Sequence, residues 1–166
     1  MNKFEKKNIK KIYIIGSVAS GKTTLAKHLS KKLNINYYSL DKIIWDDEEK
    51  VKRKSNERDK LFQNIIKNKS WIIEDVGRNY FKKGREKADI IYYISLKKRT
   101  IYYRVLTRWL KQKLKLEEYD YQPTIASLIQ MFKWAKQYNK EQVLEEYESK
   151  LVILTEKDLK KMYKEE

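Results

Sequence analysis

Cysteine is absent from the 166 residues, proline and histidine each occur once, and glycine occurs four times. Without cysteine there is no disulfide framework, no thiolate zinc site and no thiol nucleophile. A single histidine, His28, excludes a multi-histidine metal centre and is expected on a helix as a surface or packing residue. No apolar run approaches the ~20 residues that cross a bilayer, so no membrane partner is expected. The opening "MNKFEKKNIKK" is polar and lacks the apolar stretch of a secretion signal. A cytoplasmic location is therefore expected. The scarcity of Pro and Gly leaves no linker, repeat or low-complexity tract. With 41% hydrophobic residues, residues 1–166 are expected to fold as one domain around one core.

One sign of charge dominates: 39 Lys and Arg face 23 Asp and Glu, for a formal net charge of +16. Such a surplus suits nucleic-acid binding. It also suits a plain composition bias, because Lys, Ile, Asn and Tyr are abundant and the lysines are spread along the whole chain. The second reading is favoured, since no single basic block stands out.

Two of the four glycines fall within "GSVASGKTT", positions 16–24. The stretch follows the apolar "KIYII" and precedes "LAKHLSKKL", so it joins a strand to a helix. Gly16 and Gly21 let the backbone turn tightly and come close to a ligand. Loop amides at a helix N-terminus form an anion nest. In a Gly-x-x-x-x-Gly-Lys-Thr spacing, Lys22 can reach the outer phosphates and the Thr23 hydroxyl can ligate Mg²⁺. Gly16, Ser17, Ala19, Ser20, Gly21, Lys22, Thr23 and Thr24 are thus candidates for holding a nucleoside triphosphate.

Five short apolar runs read as buried strands: 11–15, 36–40, 71–74, 89–95 and 151–155. Between them lie amphipathic helical patterns over 23–33, 56–68, 98–114 and 124–147, the last introduced by Pro123 with Thr124 as its N-cap. Phe132, Trp134 and Tyr138 of that last helix are expected as packing residues. Alternating strands and helices imply an α/β fold with a parallel sheet, whose ligands bind at the carboxyl ends of the strands. Gly16, Asp41, Glu74 and Asp75 all sit at such ends. No Asn-Lys-x-Asp element for guanine is present; "TEKD" at 155–158 lacks the Asn and the order.

"IIGSVASGKTTLAKHLSKKLNINYYSLDKIIW", "WIIEDVGRNYF" and "ADIIYYISLKKRTIYYRVLTRWLKQK" together resemble the DNA topology modulation protein (FlaR-like) family, which is similar to adenylate kinase and other nucleoside monophosphate kinases. The resemblance extends to "KLVILTEKDLKKM" near the end. It implies a P-loop fold with a five-stranded parallel sheet in the order 2-3-1-4-5, flanked by helices, and a short lid at about 113–123. It implies ATP and Mg²⁺ as cofactors, and transfer of the γ-phosphoryl group to a nucleotide or another small acceptor. The alternative is an ATP-binding, DNA-associated regulator with at most slow ATPase activity. Monomer and dimer are both open.

Roles follow from position and chemistry and, for Thr24, the Arg104/Arg108 pair and the preference for Glu74, from the resemblance. Lys22 would stabilise charge on the phosphates and Thr24 would contact the α-phosphate region. Arg104 and Arg108, one helical turn apart, would straddle the nucleotide, the first against the base and the second at the phosphates. Asp41 would accept a proton from the acceptor or orient metal-bound water; its other reading is a helix N-cap. Trp45 would stack on the acceptor, with a core position as the other reading, and Arg78 would bind its anionic group. Glu74 or Asp75 would hold the water shell of Mg²⁺, Glu74 being the first candidate. The family commonly has Gly at position 19; Ala19 is compatible with the loop if its φ is negative.

Overall fold

The computed structural model describes residues 9–46, 51–117, 122–138 and 145–164. Five strands, β1 (Lys11–Gly16), β2 (Tyr37–Ser39), β3 (Trp71–Asp75), β4 (Ile90–Ile94) and β5 (Leu151–Leu154), form one sheet in the order β2-β3-β1-β4-β5. Every pairing is parallel. Register sets Ile15 opposite Asp75 and Gly16 opposite Ile94, so the strand ends lie level along one edge.

The period of two along each strand divides the core. Ile12, Ile14 and Ile72 point to one face and pack with Leu25, Ala26 and Leu29 of α1 (Lys22–Leu33) and Leu159 of α7 (Glu156–Lys164). Tyr13, Ile15 and Ile73 point to the other, against α2 (Leu40–Ile44), α3 (Ser55–Lys67) and the short α4 (Lys82–Lys87). Gly84 lets α4 lie directly on that layer: a Cβ there would stand 2.7 Å from Tyr13 Cε2 and 3.0 Å from Phe62 Cζ. A third cluster joins α5 (Lys98–Lys113) to α6 (Ile125–Gln137) through Ile101, Val105, Met131 and Ala135, and takes in Val18 and Ala19 of the glycine-rich loop.

Thr124 caps α6 as its position after Pro123 predicts, its Oγ1 accepting from the Ser127 amide at 3.1 Å. The single helix expected over 124–147 is not formed. It ends at Gln137, and Tyr138 turns extended, with φ −60° and ψ 110°, to pack against the sheet beside Tyr93 and Tyr147. Burial of that phenol outweighs continuation of the helix through Tyr138. Trp134, expected as a packing residue, stands half exposed. The expected lid at 113–123 falls partly outside the described residues; α5 stops at Lys113, and Lys115 takes a left-handed φ of 57°.

Candidate active site

The glycine-rich loop leaves β1 at the middle of the sheet and enters α1. Gly21 adopts φ 99°, ψ 18° as the residue before α1, and no side chain caps the helix. The first-turn amides of α1 are therefore open to an anion, with the positive end of the helix dipole behind them. Gly16 has no room for a side chain, since a Cβ would lie 2.6 Å from Ser20 Oγ and 3.3 Å from Ile94 Cβ. Ser20 Oγ is itself buried without a hydrogen-bond partner. Ala19 corrects the expectation of a negative φ: it sits at +55°, a left-handed conformation held by its packing on the α5–α6 cluster.

Lys22 is buried, and its Nζ donates to the Ser17 carbonyl at 2.8 Å. Burial holds its ammonium below the ordinary lysine value, against the pull of Glu74, Asp41 and Asp75. Glu74 and Asp75 end β3, while Asp41, expected at the end of β2, lies in the first turn of α2, so chain topology has assembled all three around one cation. Thr24 is exposed beside them on the first turn of α1.

Neighbouring Glu74 and Asp75 separate because consecutive strand residues point to opposite faces. Glu74 faces α1 and accepts from Thr23 Oγ1 at 2.9 Å, while remaining buried. Asp75 faces the other way. Its Oδ2 accepts from the amides of Gly77 at 2.8 Å and Arg78 at 2.7 Å, and its Oδ1 meets Arg78 Nη1 at 2.5 Å. Gly77 takes φ 97° to make that turn. Asp75 thus has partners different from those of Glu74: two turn amides and a guanidinium in place of the Thr23 hydroxyl. Hydroxyl and carboxylate oxygens are the donors that Mg²⁺ takes, completed by phosphate and water, and Thr23 with Glu74 fits that set beside an open helix N-terminus.

Arg78 spans the two carboxylates, its Nη2 reaching Asp41 Oδ1 at 2.6 Å. Asp41 does not cap α2. Ser39 holds that position, and Asp41 lies in the first turn with its carboxylate more than half exposed. Trp45 closes α2 and is half exposed, which sets aside its reading as a core aromatic. Its carbonyl accepts from Arg53 Nη1 at 2.8 Å. Arg104 and Arg108 share one face of α5, but only Arg104 touches the loop, its Nη1 donating to the Ser20 carbonyl at 3.1 Å. Arg108 pairs instead with Glu117, at 3.4 Å.

Two residues that support the site were not singled out in the sequence. Arg53 gathers the end of α2, binding the Lys42 carbonyl at 2.6 Å and Asp46 Oδ2 at 2.6 Å. Arg85 lies fully buried under the Asp75 turn, where its Nη1 donates to the Arg78 carbonyl at 2.9 Å. Burial and the Asp75 charge push the Tyr13 hydroxyl well above its ordinary value, and Arg85 pulls it down. The available signal was the choice of Arg in a chain so biased to Lys, since a planar fork suits several fixed acceptors at once.

Residues 12–122 match the family model described as an AAA domain. The adenylate kinase of Wigglesworthia glossinidia brevipalpis is 33% identical, over 59% of this chain and 56% of that protein. A shikimate kinase from a Sulfurihydrogenibium species is 32% identical, over 48% of this chain and 37% of that protein. The chain thus spans about half or less of the length of these curated relatives. Among solved structures, shikimate kinase from Bacteroides thetaiotaomicron superposes with a TM-score of 0.56 at 14% identity, over 94% of this chain and 95% of that one. A gluconokinase from Sinorhizobium meliloti 1021 does so with 0.55 at 13% identity, over 90% and 84%. At such identities these likenesses speak for the fold.

Proposed function

The chain belongs to the AAA domain family, a P-loop domain related here to adenylate and shikimate kinases, and from that premise we propose that it transfers the γ-phosphoryl group of Mg·ATP to a small acceptor. The observation that carries the reading is the Thr23–Glu74 contact beside buried Lys22 at the uncapped start of α1, with the Asp41–Arg78 pair completing the ring of charge.

Phosphoryl transfer asks little covalent chemistry of a protein; positioning and charge stabilisation supply most of the rate. Bound Mg²⁺ would neutralise phosphate charge, and Thr23 and Glu74 are the residues that would hold it or its water. Lys22 exchanges its bond to the Ser17 carbonyl for a phosphate oxygen. The α1 amides cradle the phosphates, and Arg104 keeps the loop against α5. On the acceptor side, Asp41 takes up the hydroxyl proton, Arg78 meets an anionic group, and Trp45 offers an exposed ring. Arg108 swings from Glu117 toward the developing charge. The finer placement with the FlaR-like proteins rests on the stretches quoted in the sequence analysis, narrowed by Leu40-Asp41…Trp45 after β2 and Arg104…Arg108-Trp109 after β4. The curated relatives are kinases, which disfavours the DNA-associated alternative.

The test is ADP formation from Mg·ATP with a panel of nucleoside monophosphates, nucleosides, shikimate and gluconate, beside a Lys22→Ala control. The expected result is one acceptor class that accelerates turnover, lost in the control. Equal rates across the panel, unchanged by Lys22→Ala, would overturn the reading.

A further inference from the structure

Basic residues are scattered through the whole chain, but carboxylates are not. From Ile90 to Leu116 there is no Asp or Glu, while eight positions are Lys or Arg. Helix α5 fills most of that stretch, and it carries two apolar faces. Ile101 and Val105 form the buried one, packed on α6. Tyr103, Leu106, Leu110 and Leu114 recur at spacings of three and four and so share a second stripe. That stripe is turned to solvent: Tyr103 is 69% exposed, Leu106 41%, Leu110 44% and Leu114 67%, and Leu116 just beyond reaches 74%. Contiguous exposure of this kind marks an interaction surface, unlike a lone exposed leucine. Arg99, Lys111, Lys113 and Lys115, all exposed, accompany it.

We propose that the outer stripe of α5 docks the protein onto an anionic phospholipid surface, with the helix lying in the headgroup plane. A basic helix with an apolar face is suited to that interface: leucines enter the acyl boundary, while lysine and arginine stems reach back to the phosphates. Tyr103, with an apolar ring and a polar tip, suits the same depth. The occupant follows from shape and charge. The stripe is a convex ridge on one helix, whereas helical peptides are received by grooves. A second copy would bring its own Arg99, Lys111, Lys113 and Lys115 against these four. A nucleic-acid backbone would pair with the cations and leave the leucines unused. The expectation of no membrane partner rested on the lack of a spanning run; among the described residues no helix is long and apolar enough to cross a bilayer. Lying on the surface requires only one amphipathic face. Arg104 still points to the glycine-rich loop, so docking leaves the nucleotide side of α5 free.

The experiment is co-sedimentation of the full chain with vesicles of phosphatidylcholine alone, and with about one third phosphatidylglycerol added. Pelleting is expected with the anionic vesicles only and should weaken as salt rises. The double variant Leu110→Glu/Leu114→Glu should bind roughly tenfold less or weaker still, with its melting temperature and fluorescent-ATP affinity unchanged. Replacing Arg99, Lys111 and Lys113 by Gln should weaken binding and flatten the salt dependence. No pelleting with anionic vesicles would overturn the proposal. So would pelleting that the leucine variant leaves intact, which would reduce the effect to bulk charge. A concentration-dependent dimer that those leucine changes abolish, without vesicle binding, would assign the stripe to a second copy instead. Binding to duplex DNA at the expense of vesicles, insensitive to the leucines, would assign the cations to nucleic acid and equally overturn it.

Discussion

Replacing Asp75 by Asn keeps the shape of the side chain and removes its charge. The native carboxylate is fully buried and holds three partners at once: two backbone amides on Oδ2 and Arg78 Nη1 on Oδ1. An asparagine has one acceptor oxygen. If that oxygen keeps the Gly77 and Arg78 amides, its NH₂ faces the guanidinium, donor against donor. If it turns to the guanidinium, both amides lose their acceptor. Breaking a buried ion pair by removing one partner costs about 3–5 kcal/mol. Arg78 is a quarter exposed and keeps Asp41 as a second partner, which places this case near the lower end, about 3 kcal/mol. With a urea m-value of about 2 kcal/mol per molar, the unfolding midpoint should fall by roughly 1.5 M. The adjacent Glu74→Gln change should move that midpoint far less, because its known partner is one hydroxyl; it should instead raise the Mg²⁺ concentration needed for nucleotide binding. A midpoint for Asp75→Asn within about 0.3 M of the parent would refute the role of Asp75 as the organiser of the turn.

Ala19→Gly should relieve a left-handed residue at φ 55°; after the greater freedom of unfolded glycine is subtracted, the net gain is about 0.5–1 kcal/mol, read as a rise of a few degrees in the thermal midpoint. Gly16→Ala drives a methyl to 2.6 Å from buried Ser20 Oγ, so roughly 1–3 kcal/mol of stability should be lost, together with nucleotide binding in a fluorescent-ATP titration. At the start of α7, Asp158 Oδ2 accepts from the Thr155 hydroxyl at 2.6 Å and amide at 2.8 Å, and these bonds hold the carboxyl below its ordinary value. A carboxyl depressed in the folded state adds stability above its unfolded value and loses it as pH falls through the folded one. The advantage of the parent over Asp158→Asn in urea melts at pH 7 should therefore vanish at acid pH; an advantage constant with pH would count against this cap.

The alternation of strands and helices was legible in the sequence because strands in a parallel sheet read as unbroken apolar runs, and all five lie within two residues of their expected bounds. Only β1, β3 and β4 are buried as expected, while β2 and β5, at the sheet edges, are partly exposed. The glycine-rich loop was equally legible: spacing and strand–helix context are local properties, and Gly16 and Gly21 sit where local geometry demands glycine. Tyr138 was not, since a helical pattern cannot reveal that a tyrosine gains more from the sheet than from another turn. Arg85 and Arg53 were missed for a similar reason; the carbonyls they bind, and for Arg53 the Asp46 carboxylate, are brought close only by folding. By itself, then, the sequence determined the five strands and helices α1, α3 and α5, where the phosphate loop lies, and that Glu74 and Asp75 end β3. Only the tertiary structure decided what those acids do. Strand pleating sent Glu74 to Thr23 and Asp75 to Arg78, and sheet order brought Asp41 alongside. One residue of register separates two roles that adjacent letters in a sequence cannot distinguish.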